Sequence, residues 1–127
     1  MASKGAGTYT RAVSLQQDFI LRAIRQLAAA VAKALGSARA GQPEEALSTL
    51  DRSIGSGLGL PLSLLLKLTP QSFLSVLGHD KALAALEALR ARAEILDQLG
   101  RVSDAAECRA MVKAVSAQLD GIKSNSS

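Results

Sequence analysis

The sequence predicts an all-α domain built of antiparallel helical hairpins with a short Leu-rich helical insert. Three observations carry this. Alanine and leucine, 23 and 21 of 127 residues, dominate the chain. Alanine orders no side chain on a helix and leucine keeps most of its rotamers there. Strand formers are scarce: there is no Trp, one Tyr (Tyr9) and two Phe (Phe19, Phe73), so the aromatic surface that favours sheets is missing. Apolar residues also recur at spacings of three and four along most of the chain, which aligns them on single helix faces. A chain of this length suits one domain with its own core.

Residues 1–13 are small and polar without a period, and residues 121–127 (GIKSNSS) resemble them. Both are expected to be flexible tails around a domain at 14–120. The first helix is expected from Ser14, a candidate N-cap, to Ala40. Ile20, Ile24, Leu27, Val31 and Leu35 form its stripe, and Arg22, Arg25 and Lys33 share another side. Gly41 is the expected stop.

Pro43 suits the first turn of a second helix, with Glu44 and Glu45 at its positive end. Ala46, Leu47, Leu50 and Ile54 form its stripe, and the three glycines of Gly55–Gly59 are expected to end it. Residues 61–77 are apolar almost all round, and two short helices are expected there, packed inside or across the others. Thr69-Pro70 reads as an N-cap followed by Pro at the first helical position. Asp80 is the expected cap of a long helix to Leu99, with stripe Ala82, Leu86, Leu89, Ala93 and Leu96, widened by Leu83 and Leu99. After Gly100 a last helix opens at Val102 or Ser103, with stripe Ala105, Cys108, Val112, Val115 and Leu119.

Two stretches echo each other. Ala34…Gly41-Gln42-Pro43-Glu44-Glu45-Ala46 recurs 59 residues later as Ala93…Gly100-Arg101-Val102-Ser103-Asp104-Ala105. In each, a helix with a small residue seven before a glycine stops there, and an acid-Ala pair opens the next helix. This spacing resembles the turn of a tetratricopeptide repeat. Leu50 and Ser53 match that repeat's large and small positions, whereas Arg109 departs from the pattern and the usual aromatic positions are not aromatic. The offset also exceeds the repeat's own period, so residues 61–78 would be an insertion. Over roughly residues 17–120 the chain is also similar to a family of small bacterial helical proteins of unknown function. The residues that carry the likeness are Asp18-Phe19-Ile20-Leu21-Arg22, Gly41 to Leu47, Leu68-Thr69-Pro70 and Leu99-Gly100. That resemblance implies a fold and no activity.

The net charge of +4 is uneven: residues 1–39 hold six basic groups against one acid. The basic face Arg22, Arg25 and Lys33 could meet nucleic acid or another acidic surface. However, aromatics that would stack bases are missing and no helix-turn-helix spacing stands out, so the sequence argues against nucleic acid. One cysteine, Cys108, excludes an internal disulfide and points to a reducing compartment. With no signal-like run and no stretch fit to span a bilayer, a cytoplasmic setting is expected.

Candidate chemistry is sparse. His79 is the lone histidine and sits in a connection, without the co-ligands a metal needs. Cys108 lies on an apolar stripe and reads as a small core hydrophobe. Glu87 and Glu94 share a helix face, with Arg90 between them in an ion-pairing position. Gly55–Gly59 lacks the Lys-Ser/Thr and the strand of a phosphate loop. No catalytic site, metal or other cofactor is expected. The Leu-rich segment is the strongest functional signal. Its leucines cannot all face one core in a chain this short, so it is either sandwiched or presents a patch. Leu62, Leu64, Leu65, Leu68 and Phe73 are the candidate partner-binding residues. The expected role is non-catalytic protein–protein interaction, as scaffold, adaptor or homo-oligomer. The alternative is a nucleic-acid or acidic-surface binder through the first helix.

Overall fold

The computed structural model describes residues 2–126, with side chains over 17–121. Those residues form helices and turns with no strand: α1 (Ala2–Arg39), α2 (Pro43–Leu58), α3 (Leu62–Leu65), α4 (Pro70–Leu77), α5 (His79–Gln98) and α6 (Val102–Ser126). The all-α expectation holds, as do the two short helices of the Leu-rich stretch. Their punctuation is as read: Thr69 Oγ1 accepts from Ser72 N–H at 3.1 Å, and Pro70 follows at the first helical position.

Three boundaries differ from expectation. The α1 backbone is helical from Ala2, so Ser14 lies inside it and does not cap it. The chain has no proline before Pro43 to stop a helix. The tail expectation at 1–13 and 121–127 otherwise falls on residues whose side chains, save Gly121, lie outside the described ones. Helix α2 continues through Gly55 and Gly57 to Leu58 and ends at Gly59. Each glycine costs about 1 kcal/mol against alanine. Burying Ile54 and Leu58, at about 1.5–3 kcal/mol for such a side chain, offsets that. Gly78 takes the capping position of α5, which puts Asp80 within the first turn instead.

The echoed turns have the same geometry. Gly41 has φ +92° and Gly100 φ +77°, a region that costs other residues strain. In the first turn Gly41 N–H donates to Ala38 O at 3.1 Å and Gln42 N–H to Ser37 O at 3.0 Å. In the second, Gly100 N–H donates to Asp97 O at 3.0 Å and Arg101 N–H to Leu96 O at 2.8 Å. This bond pair satisfies carbonyls that a helix end would orphan. The echoed alanines Ala34, Ala46, Ala93 and Ala105 are all buried, so the helices that follow each turn fold back closely. Thus α2 returns along α1, where a Cβ added at Gly57 would lie 3.7 Å from that of Leu27. Likewise α6 returns along α5, where Arg109 meets Asp97.

Helix α5 is the centre, in contact with α1, α2, α4 and α6. Its expected stripe is buried, but so are Ala85, Ala88, Ala91 and Ile95, while Leu83 is exposed. Alanines at 82, 85, 88 and 91 recur every third residue and let neighbours approach on sides that a single stripe would leave to solvent. The insert seals one flank: α4 packs on α5 and α6, and α3 touches α2. Leu65 and Phe73 plug the core with no exposed surface.

Candidate functional site

The Leu-rich segment divides between core and surface. Leu65 and Phe73 are fully buried, which removes them as partner contacts of the folded chain: Leu65 lies on α3, which touches α2, and Phe73 on α4, which packs on α5 and α6. Leu62 and Leu68 are partly buried against the core. Leu64 is 50 % exposed. Of the five candidate partner-binding residues only Leu64 is largely open to solvent, because Leu62 and Leu68 turn towards the core. A single exposed leucine is ordinary surface.

A more continuous apolar surface lies elsewhere, between α1 and α5. The recess at the start of α5 has Leu21, Ile24 and Ala28 on one wall and Leu83 and Ala84 on the other. Leu21 and Leu83 are 46 % and 44 % exposed. Among the described residues, the charged groups lining it are Asp80 and Glu87. Glu87 also lines a second recess, where Val31, Leu35, Ala91 and Val112 bring in α6, with Glu94, Arg109 and Lys113 at its edge. Leu35, Glu94 and Arg109 then continue into a third, which reaches the helix ends at Ala38 and Gln98. The three form one groove with α5 along its length.

Register builds this groove. Leu21 shares its recess with Asp80, Ile24 with Leu83 and Ala28 with Glu87. Val31 shares with Arg90 and Leu35 with Glu94, and Ala38 with Asp97. Every pair is 59 residues apart, the offset of the echoed turns. Helices α1 and α5 therefore run side by side in the same direction. Gln98 Nε2 donates to Ala38 O at 2.8 Å and ties their C-terminal ends together. Sequence reading found the offset but not the groove, because apolar side chains on two helices 59 residues apart leave no local period.

Behind the groove, Arg92 of α5 reaches two helices. Its Nε donates to Asp51 Oδ1 on α2 at 2.8 Å, and its Nη1 to Cys108 Sγ on α6 at 3.0 Å. Burial opposes the guanidinium's charge, but these bonds outweigh it and hold its pKa above the ordinary value. Burial raises the Cys108 thiol despite the arginine, so the sulfur stays protonated. That suits the core role read for Cys108 and not a thiolate nucleophile. The neighbouring Arg109 turns away to pair with Asp97, and this bond lowers the Asp97 pKa. Sequence reading missed Arg92, whose only signal is its place between the buried Ala91 and Ala93.

Of the remaining candidates, His79 opens α5 exposed. Glu87 pairs with Arg90 where the first and second recesses meet. Arg22, Arg25 and Lys33 are exposed and join none of the ion pairs among the described residues. The described residues include no cluster of three or more metal-ligating side chains and no helix long and apolar enough to cross a membrane. No family model matches the chain, and comparisons with curated proteins and with solved structures find no match.

Proposed function

We propose that this protein is a non-catalytic protein–protein interaction module whose docking surface is the α1–α5 groove. The observation that carries this is the half-exposed pair Leu21 and Leu83 facing one apolar recess rimmed by carboxylates. Exposed apolar surface of this kind, contiguous and edged with charge, is what a partner's side chains cover. The stacked hairpins fit the same reading. Parallel α1 and α5, each followed by a returning helix, support a degenerate tetratricopeptide-like pair in which residues 61–78 are inserted. Helical repeats of that type bind along the surface made by their stacked helices.

A photo-crosslinking residue placed at Ala28 or Leu83 tests the proposal in cells. Adducts to defined proteins are expected from these positions and not from Arg52 of α2, which lines a separate recess with Gln26 and Leu27 of α1. Leu83→Glu should abolish them. Equal labelling from both surfaces would overturn the assignment.

The unpaired basic face supports a second reading, an acidic partner on Arg22, Arg25 and Lys33. Binding of that kind falls steeply with salt, and Arg22→Glu with Arg25→Glu should remove it. Duplex and single-stranded nucleic acid, titrated at two salt concentrations, separate this from the groove.

A further inference from the structure

We infer that the basic face of α1 docks on an anionic phospholipid surface, with Phe19 entering the layer between headgroups and acyl chains. The inference rests on the second reading above, an acidic partner, and names that partner. Phe19, Arg22, Gln26, Ala29 and Lys33 follow one another at spacings of three and four, so they share one line along the helix. All five are exposed, and Phe19 keeps 73 % of its surface open. Arg25 lies beside that line and is also exposed. The face continues onto α2, where Gln26 shares a recess with Arg52, Ser53 and Ser56. Among the described residues no carboxylate lines that recess, and none of Arg22, Arg25, Lys33 and Arg52 joins an ion pair. Asp18, one turn before Arg22, is the single acid of residues 1–39. Four cations therefore stand against one carboxylate on this surface. The acids Asp80 and Glu87 lie beyond Leu21 and Ala28, on the α5 side of the helix.

Charge alone would suit any polyanion, and Phe19 selects among them. A bilayer takes up an aromatic ring at headgroup level wherever it lands, while cations beside the ring meet lipid phosphates. Duplex nucleic acid offers phosphates without an apolar layer. Single strands are gripped by successive stacked aromatics, and this face has one among the described residues. An acidic protein would need a pocket shaped for the ring. Phe19 lines none of the recesses described above. It stands one turn from Arg22 on an open helix face, which matches a fluid surface. The stretch from Arg22 to Lys33 runs about 16 Å along the helix, so its cations can meet headgroups together when α1 lies in the membrane plane. Among the described residues no helix is long and apolar enough to cross a membrane, so the contact is peripheral.

Co-sedimentation of the full chain with vesicles measures the binding, on phosphatidylcholine alone and on phosphatidylcholine mixed with phosphatidylserine. Binding to the mixed vesicles only, weakening with salt, is expected. A Lys or Arg close to an anionic surface contributes about 1 kcal/mol, or fivefold, so Arg22→Gln with Arg25→Gln should lower the partition coefficient about 25-fold. Arg101→Gln with Lys113→Gln removes the same charge from the α5–α6 hairpin and should leave binding near wild type. Helical circular dichroism should be unchanged in both pairs. Equal losses in the two pairs would overturn the assignment to α1. The chain has no Trp, so Phe19→Trp reports the ring's own surroundings: its emission should shift to the blue on mixed vesicles, and an unshifted emission from bound protein would overturn insertion. Binding of nucleic acid without binding of vesicles would overturn the lipid and leave the acidic-partner reading standing, whereas binding of neither would overturn both. The crosslinks from Ala28 and Leu83 judge the groove separately.

Discussion

Replacing Asp51 by Ala removes the one carboxylate that Arg92 holds, 2.8 Å from Nε. The side chains are only 12 % and 31 % exposed, respectively, for Arg92 and Asp51. The guanidinium cannot move to water without leaving the gap between α2, α5 and α6. Breaking a fully buried pair costs about 3–5 kcal/mol, and an exposed pair contributes at most about 1. This pair lies between, because water reaches the Asp51 end while the arginine stays covered. The expected loss is therefore about 1–3 kcal/mol, the penalty for leaving a buried hydrogen-bonding group without its partner. For a domain of this size that corresponds to a fall in melting temperature of roughly 4–12 °C. Thermal and urea melts followed by far-ultraviolet circular dichroism measure it in Asp51→Ala, Arg92→Met and the double variant. Methionine fills the space without a charge, so the double variant should be less destabilised than the two single losses added together. A melt of Asp51→Ala within about 1 °C of wild type, the effect of an ordinary surface change, would refute the claim that this ion pair pins α2 to the central helix.

Other outcomes follow from the same structure. Gly57→Ala should stabilise by up to about 1 kcal/mol, since the position is helical and the new Cβ meets Leu27 at an ordinary 3.7 Å. Gly100→Ala should instead cost about 1–2 kcal/mol, because its φ of +77° strains any other residue. Urea melts of both variants check the opposite signs. Phe73→Ala should cost about 3–5 kcal/mol, whereas Leu64→Ser should leave the monomer's melt nearly unchanged, and the contrast tests which part of the insert is core. Cys108 should react with a thiol reagent only after the protein opens. Because its folded pKa is raised by burial, the stability it contributes is complete below the unfolded value of about 8.5. That contribution drains as pH rises from there towards the folded value. The stability gap between wild type and Cys108→Ala should therefore narrow above that pH, and a gap that widens would contradict the assigned cause.

Helix identity and most helix ends were written locally. Apolar spacing marked the stripes, Thr69-Pro70 marked a start, and Gly41 and Gly100 marked two stops, because each acts through bonds within a few residues of itself. The 59-residue echo was also legible, since it repeats a local turn. What the neighbours decide was not legible. Gly55 and Gly57 are helical because burial of Ile54 and Leu58 outweighs their propensity, and no window around the glycines contains that energy. The alanines at 85, 88 and 91 look like neutral helix filler until four other helices close on α5. Leu65 and Phe73 read as a possible patch until α3 meets α2 and α4 lies across α5 and α6. Leu83 read as core until α1 settled beside α5 and left it at the mouth of the groove. A period along one helix says which side is apolar. Whether that side meets another helix or water depends on chain distant in sequence, and only the packed structure brings that chain into place.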